Sequence, residues 1–171
     1  MLLQHWGARP DEIDGPFVGD ELVPDATLLA TRSISLDAAP SEVYPWLAQM
    51  GFGKAGWYSY DWLDNLGRRS ATEIRPEWQV DEGDEIPGGP IDFTAPVARP
   101  GEAFVLAMLR RRIGFTLAYD LRPEGTGTRL VTRLRVRLRF PGGRLIERLV
   151  LGPGDGVMVR RQLLGIRALT G

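Results

Sequence analysis

Apolar and basic residues alternate from Leu130 to Phe140: Leu130, Thr132, Leu134, Val136, Leu138 and Phe140 hold one phase, and Arg133, Arg135, Arg137 and Arg139 the other. A two-residue period places the phases on opposite faces of a β-strand, so the pattern predicts a strand over about 128–140 with its arginines turned to solvent. Weaker alternation predicts further strands over about 91–98, 102–109 and 114–122; in the last, Phe115, Leu117, Tyr119 and Leu121 share a face. Thr27 to Asp37 alternates as well, and its apolar row of Leu28, Ala30, Ile34 and Leu36 contains one odd member, Arg32.

Helical spacing appears in three places. Val43, Trp46, Leu47 and Met50 recur at i, i+3, i+4 and i+7 behind the opening turn Ala39-Pro40-Ser41-Glu42, with Pro45 in the early turns or at a kink. Gly51, Gly53 and Gly56 punctuate a tight connection to a second short helix at about 58–66, with Tyr58, Trp62, Leu63 and Leu66 on one side. Leu145–Leu151 and Val157–Leu169 are helical again, interrupted by Gly152-Pro153-Gly154-Asp155-Gly156, with Asp155 a candidate cap for the second piece. Polar loop text with a short extended piece fills 67–90, and Pro87-Gly88-Gly89-Pro90 is a strong turn signal. Residues 1–26 are rich in Pro, Gly and acid without periodicity, which predicts an irregular leader packed on one domain over 27–171. One strand, two short helices, a run of antiparallel strands and a C-terminal helix make an α+β order, with helices covering one face of a curved sheet.

Composition narrows the function more than the fold. A chain of 171 residues, 43% hydrophobic and 25% charged, is the size and make-up of one globular domain. No run approaches a membrane span, and the start lacks the basic flank and apolar stretch of a signal peptide, so a cytoplasmic protein is expected. Absence of cysteine excludes disulfides and thiol nucleophiles, and a single histidine leaves no plausible zinc site. No cofactor is implied.

The net charge of −1 conceals an asymmetry, because residues 1–102 carry 18 acidic and 7 basic side chains, and 103–171 carry 4 and 14. Either the halves face each other within the domain, or the C-terminal half meets an anionic partner. Arg110-Arg111-Arg112 and the arginine phase of the last strand raise the question of nucleic acid. No aromatic alternates with those arginines and the net charge is slightly negative, so nucleic acid is not expected.

Four large aromatics fall within the six positions from Trp57 to Trp62, in the run Gly56-Trp57-Tyr58-Ser59-Tyr60-Asp61-Trp62-Leu63-Asp64-Asn65-Leu66. Together with Trp6-Gly7-Ala8, Gly19-Asp20-Glu21-Leu22-Val23-Pro24, Thr31-Arg32-Ser33-Ile34, Val43-Tyr44-Pro45-Trp46-Leu47-Ala48-Gln49-Met50-Gly51, Pro76-Glu77-Trp78-Gln79 and Leu163-Leu164-Gly165-Ile166, this run resembles the bacterial SRPBCC proteins of the START-like (Bet v 1-like, polyketide cyclase/lipid transport) superfamily. The resemblance spans nearly the whole chain. It implies the helix-grip fold: a curved antiparallel sheet wrapped around a long C-terminal helix, two short helices after the first strand, and a cavity between the sheet and the last helix. The chain departs from its relatives in two places. Many have a His and an Asp where this chain reads Arg69-Ser70-Ala71-Thr72-Glu73, and a His-aromatic pair and a later Glu where this chain has Asp155-Gly156 and Arg160.

Tyr and Trp carry a polar tip on an apolar body, so the aromatic run either fills a core or lines a cavity. On the cavity reading, Trp46, Trp57, Tyr58, Tyr60, Trp62, Trp78 and Tyr119 supply walls and Arg32, Asp61 and Glu77 supply polar anchors. An inward Arg32 would be held by Asp61 or Glu77 and offer its guanidinium to a ligand carboxylate or carbonyl. Glu77, beside the indole of Trp78, could act as an acid or base, whereas His5 sits in the leader and reads as a packing or surface residue. Three functions follow: a binder of a hydrophobic or amphipathic small molecule, a cyclase or dehydratase acting on a polyketide-like or aromatic substrate, and a protein-interaction module using the arginine face. The first is the leading expectation.

Overall fold

A computed structural model describes residues 3–171. Six antiparallel strands form one sheet: β1 (Leu28–Leu36), β2 (Glu85–Ile86), β3 (Phe93–Arg99), β4 (Ala103–Arg110), β5 (Ile113–Glu124) and β6 (Gly127–Leu138). Their spatial order is β1-β6-β5-β4-β3-β2, so the first strand pairs with the last. Leu28 lies opposite Val136 and Leu36 opposite Thr128. The helices are α1 (Pro10–Asp14), α2 (Pro40–Ala48), α3 (Asp61–Asp64), α4 (Gly143–Ile146) and α5 (Gly152–Thr170), with a wide π turn at Glu147–Leu151. This is the helix-grip α+β fold, a curved sheet closed around a long C-terminal helix.

Most of the predicted elements are present within a few residues of the expected ends, and two differ for physical reasons. The C-terminal helix is not interrupted at Gly152–Gly156. Pro153 removes a backbone donor and its ring collides with the carbonyl four residues earlier, at Leu149. The wide turn at Glu147–Leu151 contains that carbonyl and accommodates the proline, so the helix runs on. Asp155 is therefore inside α5 and caps nothing. The second short helix shrinks to Asp61–Asp64, because Tyr58 adopts a left-handed backbone (φ 56°) that no helix begins with. Tyr58 is buried while Trp62 and Leu66 are 72% and 77% exposed, so they share no side with it.

The largest correction concerns the arginine phase of β6. Its apolar partners Leu130, Leu134 and Val136 are buried as expected, but the opposite face is not open to water: Arg129 and Arg133 are buried and only Arg139 keeps an open side chain. The leader lies over this face. Glu12 accepts hydrogen bonds from Nε and Nη2 of Arg129 at 2.7 and 2.9 Å. Arg133 bonds Asp20 at 2.8 Å and the carbonyls of Glu12, Ile13 and Gly15, and lies 4.8 Å from the ring centre of Phe17. Arg135 bonds the Val23 carbonyl and Arg137 bonds Asp25 at 3.0 Å, with Arg139 on the same carboxylate. Phe17 joins Val97, Ala103, Val105, Ala118 and Val131 in a second apolar cluster beneath the leader. The period correctly separates the faces, but the acids that cover the second one come from a segment without periodicity. Part of the charge asymmetry is thus neutralised inside the molecule, where Glu12, Asp20 and Asp25 pair with five arginines of the C-terminal half.

Two motif glycines owe their identity to close approach. A Cβ on Gly7 would sit 2.2 Å from the Ser33 carbonyl oxygen, where the leader crosses β1, and one on Gly165 would sit 2.5 Å from the Tyr58 carbonyl oxygen, where α5 crosses the aromatic run. Both fix chain crossings that frame the interior.

Candidate functional site

The sheet's inner face and α5 do not close on each other completely. Between them lies a cavity of about 540 Å³. Its floor is Leu106, Phe115, Leu117, Leu134 and Val136 from β4, β5 and β6, and its roof is Gly154, Asp155, Met158, Val159 and Gln162 from α5. The two-residue period brings the strand residues together, since every second position of a strand faces inward. Trp57, Phe93 and Phe115 form a continuous aromatic wall, with ring centres 5.9 Å apart for the first pair and 5.6 Å for the second. Ser59, Leu63 and Asp64 from the aromatic run and α3 close one side. Leu63 and Val150 line the cavity and are also exposed, which marks the opening.

Most of the polar groups around this space are already engaged. Arg32 is 1% exposed and donates from Nη1 to Asp155 at 2.6 Å and from Nε to the Leu3 carbonyl at 2.7 Å. Its carboxylate is therefore neither Asp61 nor Glu77, a correction to both expected partners. Asp61 instead accepts from the amide and hydroxyl of Ser70, and Glu77 is exposed. Burial pushes the Asp155 carboxyl up from its ordinary range against the opposing pull of Arg32. Tyr119 is fully buried and donates to Gln162 Oε1 at 2.6 Å, while Gln162 Nε2 donates to the Trp57 carbonyl at 2.9 Å. Burial, reinforced by Asp155, raises the Tyr119 phenol far above the usual tyrosine range, so the hydroxyl stays protonated. Ser59 donates to the Met158 carbonyl.

Of the ten residues expected at the site, Trp57 lines the cavity directly, and Arg32 and Tyr119 reach it through Asp155 and Gln162. Trp46 and Tyr58 meet edge to face in the core, where Gln49 donates to the Tyr58 hydroxyl at 2.8 Å. Tyr60 precedes α3, Trp62 is turned outward, and Trp78 lies under Arg75, 4.6 Å from its guanidinium. These three, with Asp61 and Glu77, are not among the cavity's lining residues.

Sequence reasoning missed Phe93, Asp64 and the α5 lining. Phe115 was legible as an inward residue through its phase with Leu117 and Tyr119. Asp64 carries a signal in the sequence, a carboxylate set among Trp62, Leu63 and Leu66. Both of its carboxylate oxygens are buried and no side chain among the described residues bonds them, although the backbone N–H groups of Asp64 and Tyr60 favour the charged form. Burial, and then the neighbouring charge of Asp61, raise its pKa to about 6.

Comparison with known proteins locates the fold. No family model and no curated protein matches this sequence. Among solved structures, the KanY protein superposes with a TM-score of 0.55 at 11% identity, over 84% of this chain and 98% of that one. The Aha1 protein of Colwellia psychrerythraea, solved as a dimer, gives 0.52 at 14% identity over 84% and 96%. Protein MLL2253 of Mesorhizobium loti gives 0.51 at 12% over 83% and 96%. At these identities the likeness establishes a shared fold, and that fold fits the superfamily that the sequence motifs resemble. No helix among the described residues is long and apolar enough to cross a membrane.

Proposed function

We propose that this protein binds a hydrophobic or amphipathic small molecule, lipid-like or polyketide-like, in the cavity between its sheet and α5. Residues 27–171 form the binding domain and the leader serves as its outer cover. The observation that carries this reading is the cavity itself: about 540 Å³ of space lined chiefly by hydrocarbon and aromatic side chains, within the size range of small-molecule sites. Apolar walls facing such an open space lack the dispersion contacts of a packed interior, and an apolar occupant supplies them.

Binding is favoured over turnover because Arg32, Gln162, Ser59 and Tyr119 spend their hydrogen bonds on other protein groups rather than converging on one point. The arginine face, which a protein-interaction module would need open, is occupied by the leader.

The test uses N-phenyl-1-naphthylamine, a neutral probe whose fluorescence rises in apolar surroundings. The protein is expected to bind it in the micromolar range, with Trp57→Ala weakening binding by about fivefold through loss of one aromatic wall. Met158→Trp, which adds volume from the half-buried face of α5, is expected to reduce binding by about tenfold or more while the protein stays folded by circular dichroism. Unchanged binding in both variants would sink the assignment of the cavity.

A further inference from the structure

Resting on that reading, we propose that Asp64 selects the ligand's head group: the cavity takes an apolar molecule bearing a hydrogen-bond donor, foremost a primary ammonium, and rejects carboxylate amphiphiles. The argument begins with what the cavity lacks. None of its lining residues is Lys, Arg or His. Arg32, the nearest candidate cation, already gives Nη1 to Asp155 and Nε to a backbone carbonyl. A fatty-acid head would therefore find no free partner and would meet carboxylates at both Asp64 and Asp155. Like charges brought together in a poorly solvated space repel strongly.

Asp64 offers the opposite. Ser59, Gln162 and Asp155 each have a protein partner, whereas both oxygens of Asp64 are buried and no side chain among the described residues bonds them; only the backbone N–H groups of Tyr60 and of Asp64 itself favour its charged form. An acceptor withdrawn from water and left unmatched is an unmet demand that a ligand donor can satisfy. Asp61, three residues earlier, cannot supply it, because it is itself an acceptor occupied by Ser70. Burial and Asp61 raise the Asp64 carboxyl to about 6, below neutral pH, so the acceptor is largely ionised at about pH 7.5. Its place suits a head group, since it follows Leu63 at the opening while Phe115, Leu134 and Val136 form the apolar depth.

The experiment is competition. Decylamine, decan-1-ol and decanoate share one tail and differ in the head, and each is titrated against bound N-phenyl-1-naphthylamine at about pH 7.5. Decylamine is expected to displace the probe at about tenfold or more lower concentration than decanoate, the factor of one charge-assisted hydrogen bond, with decan-1-ol between them. Asp64→Asn is expected to shrink the amine's advantage to about threefold or less, each competitor being read against the probe's own affinity for that variant. Glu77→Gln, which removes an exposed carboxylate, controls for non-specific attraction of the amine and is expected to keep the full preference. Equal or better displacement by decanoate overturns the proposal, as does an amine preference that survives in Asp64→Asn. Failure of the probe to bind at all overturns the cavity reading first and this proposal with it.

Discussion

Replacing Arg32 by Met destabilises the protein by about 3–5 kcal/mol in urea or thermal unfolding, the cost of breaking a buried ion pair from one side. The guanidinium sits at 1% exposure with its Nη1 2.6 Å from Asp155, and methionine restores the packing volume but not the charge. Asp155 is then left in the cavity roof without a counter-ion, and burial, which already raises its pKa, acts unopposed. The sign of the pH dependence follows. A carboxyl whose folded pKa exceeds its unfolded value takes up a proton more readily when folded, so the deficit of Arg32→Met narrows as the pH falls and Asp155 is neutralised. The double variant Arg32→Met, Asp155→Leu removes both charges and recovers most of the loss, since an apolar pair of similar volume is commonly as stable as a buried salt bridge. A loss below about 1 kcal/mol in the single variant is the level of a solvated pair and would refute the account.

The second large effect is at the leader. Burial raises the Glu12 carboxyl, but hydrogen bonds from Arg129, the Arg9 amide and Ser33 outweigh it and hold the group at about 2. A depressed folded pKa contributes stability that is complete above the unfolded value of about 4.5 and disappears as the pH falls toward 2. For a shift of this size the contribution is about 3 kcal/mol. Glu12→Gln keeps the shape, strands the buried Arg129, and is expected to cost about 3 kcal/mol at pH 7. The difference from wild type should close between about pH 5 and pH 2. A gap that persists at pH 2 would mean that Glu12 acts through shape rather than charge.

The sheet was legible because its strands announce themselves locally: a period of two in 114–122 and 128–140 needs no knowledge of partners. Arg32 was legible as an anomaly for the same reason, an ion in an apolar row. Its partner was not. Asp155 lies 123 positions away in a Gly-Pro-rich stretch that reads as a turn, and only the wide turn ahead of Pro153 lets that stretch continue as a helix. The covered arginines failed for a related reason. Nothing periodic in residues 10–25 indicates that Glu12, Asp20 and Asp25 fall opposite Arg129, Arg133 and Arg137, and solvent was the default for a polar strand face. The aromatic run misled differently, because richness in rings does not say which way each ring turns. Tyr58, on a left-handed backbone, is buried in the core, Trp57 lines the cavity and Trp62 is turned outward.

The pairing of β1 with β6 bears on how the chain is made. Leu28 meets Val136, and the acids of the leader meet arginines more than 110 positions downstream, so neither the first strand nor its cover has a destination while the ribosome is still producing the middle of the chain. Such distant closures are slow to search for, and the edge of β1 stays open to any other strand in the meantime. The N-terminal 102 residues carry 18 acidic and 7 basic side chains, so Glu12, Asp20 and Asp25 stay without their arginine partners until β6 is made. Closure waits for β6 and then for α5, whose Asp155 is the partner of Arg32 in β1.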